Sequence, residues 1–169
     1  HLPRIQAPQK KWAVRGKGKN PRKVIKVAPH TDEELIDWNR QLKKKYQLMQ
    51  ENEQRHEALL TNDAELIVVT FGSTARIVLD SVLRARTEGM AVGMFRPISL
   101  FPYPQKALKK IVRQGTRKLL VVEANNGQMV EDVRLSVCGL AEIAHYGFGG
   151  GHIFSPEEIY REIRRFGKS

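Results

Sequence analysis

The sequence predicts an α/β domain with a mostly parallel sheet and helices on both faces. Three observations predict it. Leu66, Ile67, Val68 and Val69 form a continuous apolar run, which suits a strand covered on both faces, as strands of parallel sheets are. The run leads through Gly72-Ser73-Thr74 into an amphipathic stretch. Ala75, Val78, Leu79, Val82 and Leu83 recur there at helical spacing, with Arg76, Asp80, Arg84 and Arg86 elsewhere on the surface. The same strand–helix unit occurs four times to the end of the chain, and such alternation implies parallel strands joined by crossovers. The recurrence is one of secondary structure, not of sequence.

Taken in order, residues 1–30 hold Pro3, Pro8, Pro21 and Pro29 with Gly16 and Gly18. Proline, glycine and like charge make a poor independent fold. They predict an extended basic arm, with room for a short β piece at residues 23–27. Thr31 followed by Glu34 is a capping box, and Asp32 and Glu33 suit the positive end of a helix. Leu35, Trp38, Leu42, Tyr46 and Met49 then form one stripe, predicting a long helix to about Ala58 within a connecting segment 31–60. The stripe is too short for an extended coiled coil and fits packing on its own or a neighbouring domain.

The α/β body is expected over 61–169. After the first unit, Gly89 ends a helix, and residues 91–95 form the second strand. Residues 96–104, RPISLFPYP, are a proline-punctuated loop. Pro104 suits the first turn of a helix with Ala107, Leu108, Ile111 and Val112 inward. Residues 119–122 form the third strand and 128–137 a helix with Val130, Val133 and Val137 inward. Residues 142–146 form a fourth strand. Ser155-Pro156-Glu157-Glu158 is a second capping box, and the last helix carries Ile159, Ile163 and Phe166.

The chain has 169 residues, 41% hydrophobic and 28% charged, a soluble globular composition. No apolar run approaches the roughly 20 residues of a membrane span. His1 in place of Met fits an excised fragment or a tag remnant. The single cysteine, Cys138, excludes an internal disulfide and a Cys-rich metal or iron–sulfur site on this chain. Its apolar helical context predicts a buried thiol, and so a reducing, cytoplasmic setting. The net charge of +11 invites a nucleic-acid reading. However, residues 1–30 hold nine of the 29 Lys and Arg and no acid, leaving 20 bases against 18 acids in the remainder. The excess belongs to the arm, and the body lacks the aromatic–basic stripe of single-strand binders.

Ligands of open α/β sheets gather at the carboxyl ends of the strands. Here these are Gly72-Ser73-Thr74, Arg96-Pro97, Asn125-Asn126-Gly127-Gln128 and the glycine-rich GFGGG of residues 147–151, with Gly149 and Gly150. The FGSTAR turn could offer backbone N–H groups to an anion. It is neither G-x-G-x-x-G nor a Walker loop, and a tight βα turn with Ser/Thr capping is the favoured reading. The glycine loop could cradle phosphate or simply allow close approach to a neighbour. His152 beside it has no carboxylate or nucleophile placed next to it by the sequence. Glu123 with Asn125, Asn126 and Gln128 makes a polar cluster suited to buried or interfacial hydrogen bonding rather than proton transfer. His30, His56, His145 and His152 are scattered, and no set has metal-ligand spacing. No G-x-S-x-G elbow is present. No catalytic or metal-binding residue is assigned.

Together, ELIVVTFGSTARIVLDSVLRARTEG, VGMFRPISLFPYP, LLVVEANNGQMVEDVRLSV, YGFGGG and SPEEI resemble the C-terminal region of the α-subunit of 2-oxoacid:ferredoxin oxidoreductases. The flavour is that of the branched-chain (2-ketoisovalerate) type. KKWAVRGKGKNPRKVI and TDEELIDWNRQLKKKYQLMQENEQRHE resemble the segment joining the preceding domain. The resemblance implies a three-layer α/β/α fold like the C-terminal domain of transketolase, with about five strands, one antiparallel. The fifth strand is expected in the arm or near Ile153. It implies an enzyme complex that decarboxylates a 2-oxoacid with thiamine diphosphate and Mg²⁺, forms an acyl-coenzyme A and passes electrons through iron–sulfur clusters to ferredoxin. Those cofactors are expected elsewhere in the complex and none on this chain. Partners would be subunits of beta, gamma and delta type, with ferredoxin and coenzyme A met through the complex. The implied role is assembly, with Arg96, Pro97 and residues 125–128 as contacts to partner domains. Asn126 departs from the family pattern. Two readings from other classes stand beside it: a stand-alone anion- or nucleotide-binding module, and a nucleic-acid binder acting through the arm.

Overall fold

The computed structural model describes Lys10, Ala13, Gly16 and residues 31–168. Apart from those three positions the predicted arm, including its β piece at 23–27, lies outside the described residues. The chain divides into two compact units, His1–Gln41 and Leu42–Ser169, with the division inside the first helix.

That helix, α1, spans Asp32–Asn52. The Glu34 N–H donates to Thr31 Oγ1 at 3.2 Å, so the predicted cap forms. None of the helix is buried. Within the first unit Leu35 and Trp38 stay exposed; in the second, Tyr46 is also exposed and meets the Phe101 ring edge-on at 5.9 Å. The helix ends six residues short of the expected Ala58, and His56–Leu59 instead forms β1.

The remaining elements are β2 Leu66–Thr70, α2 Thr74–Thr87, β3 Val92–Pro97, α3 Gln105–Arg113, β4 Lys118–Glu123, α4 Gln128–Val137, β5 Glu142–Gly147 and α5 Pro156–Lys168. The five strands make one sheet in the order β1-β3-β2-β4-β5. All neighbours run parallel except β1, which pairs antiparallel with β3, His56 opposite Pro97 and Leu59 opposite Met94. Among the described residues the fifth strand is therefore β1, and none forms near Ile153. Gly93 is what lets it dock. A Cβ there would sit 2.5 Å from the Leu60 carbonyl oxygen and 3.0 Å from that of Leu59.

The strands' two-residue alternation sorts their side chains into two cores. Ile67, Val69, Phe95, Leu119 and Val121 point to the face covered by α3 and α4, against Leu108, Ile111, Val112, Val130 and Val133. Leu66, Val68, Met94, Leu120 and Val122 point to the face covered by α2 and α5, against Val78, Val82, Ile159 and Ile163. The architecture is thus three layers, α/β/α, with a mostly parallel five-stranded sheet. Leu83, expected inward, is 47% exposed. Ser81 and Ala85 take the buried positions of α2 instead, and Ser81 Oγ donates to the Pro156 carbonyl at 2.8 Å, tying α2 to α5.

Cys138, expected in the core, is exposed. Helix α4 stops at Val137, and Cys138 takes the left-handed C-cap at φ 50°, just before Gly139. The predicted capping box of α5 forms in full. Ser155 Oγ accepts from the Glu158 N–H at 3.2 Å, and the Ser155 N–H donates to Glu158 Oε2 at 2.7 Å.

Candidate interface site at the strand ends

Neighbouring strands β2 and β4 send their chains to opposite faces, β2 into α2 on one side and β4 into α4 on the other. This is the topological switch point, where open α/β sheets form a crevice at the strand ends. Residues 71–73 lie on one side of it and 124–127 on the other.

On the β4 side the first turn of α4 is filled by the protein's own groups. Glu123 is fully buried and its carboxylate accepts the Met129 N–H at 2.7 Å and the Val130 N–H at 3.1 Å. Asn125 Oδ1 accepts the Gly127 and Gln128 N–H groups at 2.9 and 3.0 Å. These are the donors a helix start would offer an anion, and here internal oxygens occupy them. Asn125, Gly127 and Gln128 are therefore brought together, but as a closed cap. Asn126 reaches across to the glycine loop, accepting the Gly149 N–H at 2.9 Å. Gly150 lies one residue further on, at φ 81°.

The parallel register of β4 and β5 sets Glu123 opposite Gly147. His145, two residues before Gly147, points to the same face as Glu123, with Nε2 3.1 Å from Glu123 Oε1. That is ion-pair distance without the alignment of a hydrogen bond. Gly147 has no room for a side chain: a Cβ would stand 2.6 Å from His145 Nε2, 2.7 Å from the Glu123 carbonyl oxygen and 2.8 Å from that of Asn125. Sequence alone does not place His145, because its partner lies 22 positions away and only strand register joins them. His152 also acquires a carboxylate, Glu158 Oε1 at 3.3 Å from Nε2. Its ring meets Phe148 and Phe154 edge-on.

On the β2 side, Gly72 has φ 62° and Ser73 precedes α2 without a side-chain capping bond. The expected Ser/Thr cap does not form. Thr74 is buried, and the Thr70 hydroxyl at the end of β2 is buried without a hydrogen-bond partner. Arg96 stands apart from this crevice. It pairs with Glu57 directly across the β1–β3 ladder at 3.0 Å.

Electrostatics at the α4 end are dominated by carboxylates. Burial raises Asp132 above the ordinary range, and the Glu123 charge adds to it. Burial, with Asp132 and Glu123 adding, pushes the Tyr103 hydroxyl well above its usual value. The arrangement holds no nucleophile beside a base. Among the described residues no three His, Cys, Asp or Glu gather to hold a metal. A lone cysteine cannot supply the thiolates of an iron–sulfur cluster. No described helix is long and apolar enough to cross a membrane.

Residues 64–159, more than half of the chain, match the family described as pyruvate:ferredoxin oxidoreductase core domain II. The chain belongs to this family. The chain is 33% identical over 157 residues to the ketoisovalerate oxidoreductase subunit VorB of Methanothermobacter thermautotrophicus, covering 93% of this chain and 44% of that subunit. It thus spans less than half the length of that relative. Its fold matches the 2-oxoglutarate:ferredoxin oxidoreductase of Magnetococcus marinus, at TM-score 0.71 and 22% identity, over 82% of this chain and 24% of that one. A split-gene transketolase shares the fold at TM-score 0.55 and 14% identity, over 68% of this chain and 41% of that one. At those identities the two structures speak to fold alone.

Proposed function

We propose that this chain is the C-terminal region of the α-type subunit of a thiamine-diphosphate-dependent 2-oxoacid:ferredoxin oxidoreductase, of the 2-ketoisovalerate type. It serves assembly and frames the reaction centre without forming one. The observation that carries the reading is the match to the VorB subunit over 93% of the chain, which takes in α1 and more than half of the arm. Residues 1–30 and α1 join the α/β body to a preceding domain. The strand-end turns at Asn125, Gly127, Gln128, Gly149 and Gly150, with Gly72, Ser73 and Thr74 across the crevice, face neighbouring domains. Arg96, apart from that crevice and held to β1 by Glu57, is a separate contact to a partner domain.

Internal satisfaction of the α4 helix start supports this over an anion-binding module built at that turn, since the donors it would need there are already used. Thiamine diphosphate, Mg²⁺ and the iron–sulfur clusters then reside on other domains and subunits. Those partners react with coenzyme A and ferredoxin in the cytoplasm. The whole complex oxidatively decarboxylates the 2-oxoacid to an acyl-coenzyme A, and this chain's part is to hold subunits in register.

The test is purification through a tag on this chain from cells expressing the whole set of subunits. The recovered complex should reduce a viologen dye only when 2-ketoisovalerate, coenzyme A and thiamine diphosphate are all supplied, and the isolated chain should reduce none. Turnover by the isolated chain, or a tagged preparation without 2-oxoacid-dependent reduction, would refute the assignment.

A further inference from the structure

Helices α2 and α5 enclose an open groove of about 410 Å³ on the face away from α3 and α4. Its charged lining is Arg84, Arg161, Arg164, Arg165 and Lys168 against Glu157. Arg161, Arg164, Arg165 and Lys168 recur at three- and four-residue spacing, so they form one stripe of α5. Two of the five cations are neutralised locally: Arg84 by Glu157 at 2.6 Å and Glu88 at 3.5 Å, and Arg165 by Glu162 at 2.5 Å. Among the described residues, Arg161, Arg164 and Lys168 have no carboxylate within ion-pair distance. The floor is fixed. Tyr160 is buried, its hydroxyl donates to Glu88, and the Arg84 and Arg164 guanidinium groups lie 3.9 and 5.8 Å from its ring centre.

We infer that this groove is a docking surface for an acidic segment of a partner protein, read chiefly by Arg161, Arg164 and Lys168. The charge has a purpose beyond solvation, because four of the five cations are arginine. Arginine forks carboxylates bidentately and is enriched at protein interfaces, where lysine is depleted. The two bases of the last turn, Arg165 and Lys168, already complement the helix dipole, so Arg161 and Arg164 are surplus to that need. A nucleic acid fits less well. Its uniform row of phosphates would meet Glu157 in the groove lining, and the buried Tyr160 offers no face for base stacking. A protein segment with spaced Asp and Glu can match cations and avoid the carboxylates. The surface lies on the α2/α5 layer and is independent of the strand-end site.

The probe is a synthetic peptide of about twelve residues alternating Glu and Ala, titrated into the isotopically labelled full chain by NMR at low salt. Amide shifts should concentrate on α5 and around Arg84. The double variant Arg161→Ala/Arg164→Ala should weaken binding about tenfold or more, and raising NaCl from about 50 to 300 mM should do the same. Both arginines are exposed, so the variant keeps the fold, which unchanged spectra at the buried core amides would verify. Lys106→Ala/Lys110→Ala on α3, on the opposite layer, should leave affinity unchanged. The inference fails if the peptide does not bind, if its shifts are confined to residues 1–30, or if the double variant binds as before. A short DNA duplex that occupies the groove more tightly than the peptide would also overturn it.

Discussion

Glu123 ends a strand and starts a helix at once. Its carboxylate accepts two N–H groups of α4's first turn from a fully buried position, with His145 against its other side. Glu123→Ala leaves two buried donors unmet and opens a void. At 1–3 kcal/mol per unsatisfied group, the expected loss is about 4 kcal/mol, read as a drop in the urea midpoint with an unchanged slope. Glu123→Gln keeps one acceptor oxygen and should lose about half as much; equal losses would show that packing, not hydrogen bonding, sets the cost. Asp132 responds with the opposite sign. Its folded pKa is raised, so it favours folding below the ordinary carboxylate range and opposes it as pH rises through the raised value. Asp132→Asn should therefore lift Tm at pH 7 by about 1–2 °C. The gain should vanish below about pH 3, where the wild-type group is protonated in both states. A gain that persists in acid would trace to something other than this charge. Of this residue-scale detail, the sequence grouped Glu123 with Asn125, Asn126 and Gln128 as a polar cluster suited to hydrogen bonding, and Asn126 turns instead to the Gly149 N–H. The sequence did not show His145 joining them, because only the β4–β5 register brings that ring into place.

Among the elements, those with strong local signals were legible. The bounds 128–137 expected for α4 are those of the structure. There, three valines recur on the inward face, a glycine turn opens the helix and Cys138-Gly139 closes it. The apolar runs of β2 and β4 likewise announced strands, that of β2 one covered on both faces. The element that escaped was β1. His-Glu-Ala-Leu is short and rich in helix formers, and every residue is exposed, so it has neither the length nor the alternation that marks a strand. Its structure comes from tertiary pairing with β3, and that pairing depends on the bare backbone at Gly93. Gly93→Ala places a methyl group 2.5 Å from the Leu60 carbonyl oxygen, and backbone cannot swing aside as a side chain can. The expected cost is about 2 kcal/mol. Amide exchange at residues 56–60 should rise, while that of α4 stays slow. Uniform exchange throughout the body would mean instead that β1 is no separate unit. Arg86 clamps the same corner, donating to Asp63 at 2.6 and 2.8 Å and to the Leu60 carbonyl at 2.7 Å.

Across the whole molecule the titrating groups are not evenly shared between the two helical layers. Asp63 is lowered chiefly by its hydrogen bonds from Arg86, Glu88 by the Tyr160 hydroxyl, and Glu158 by the Ser155 backbone and hydroxyl. Each of these partners is a joint of the α2/α5 layer: Arg86 and Glu88 at the end of α2, Ser155 and Tyr160 at the start and middle of α5. A carboxylate whose folded pKa is depressed stabilises above its unfolded value, and that support is lost as pH falls through the folded one. Asp132, on α4, is shifted upward, so acid relieves its layer rather than weakening it. The consequence is an ordered acid response. Below about pH 4, hydrogen exchange should quicken first in α2 and α5, with α3, α4 and the centre of β4 opening only at lower pH. About 0.5 M NaCl should blunt the early phase, since all three carboxylates sit at the surface. Simultaneous opening of both layers, or an early phase indifferent to salt, would show that these surface pairs do not set the acid limb. Early loosening of α2 and α5 would also release the groove between them, so acidic-peptide binding should fall over the same pH range in which those two helices begin to exchange.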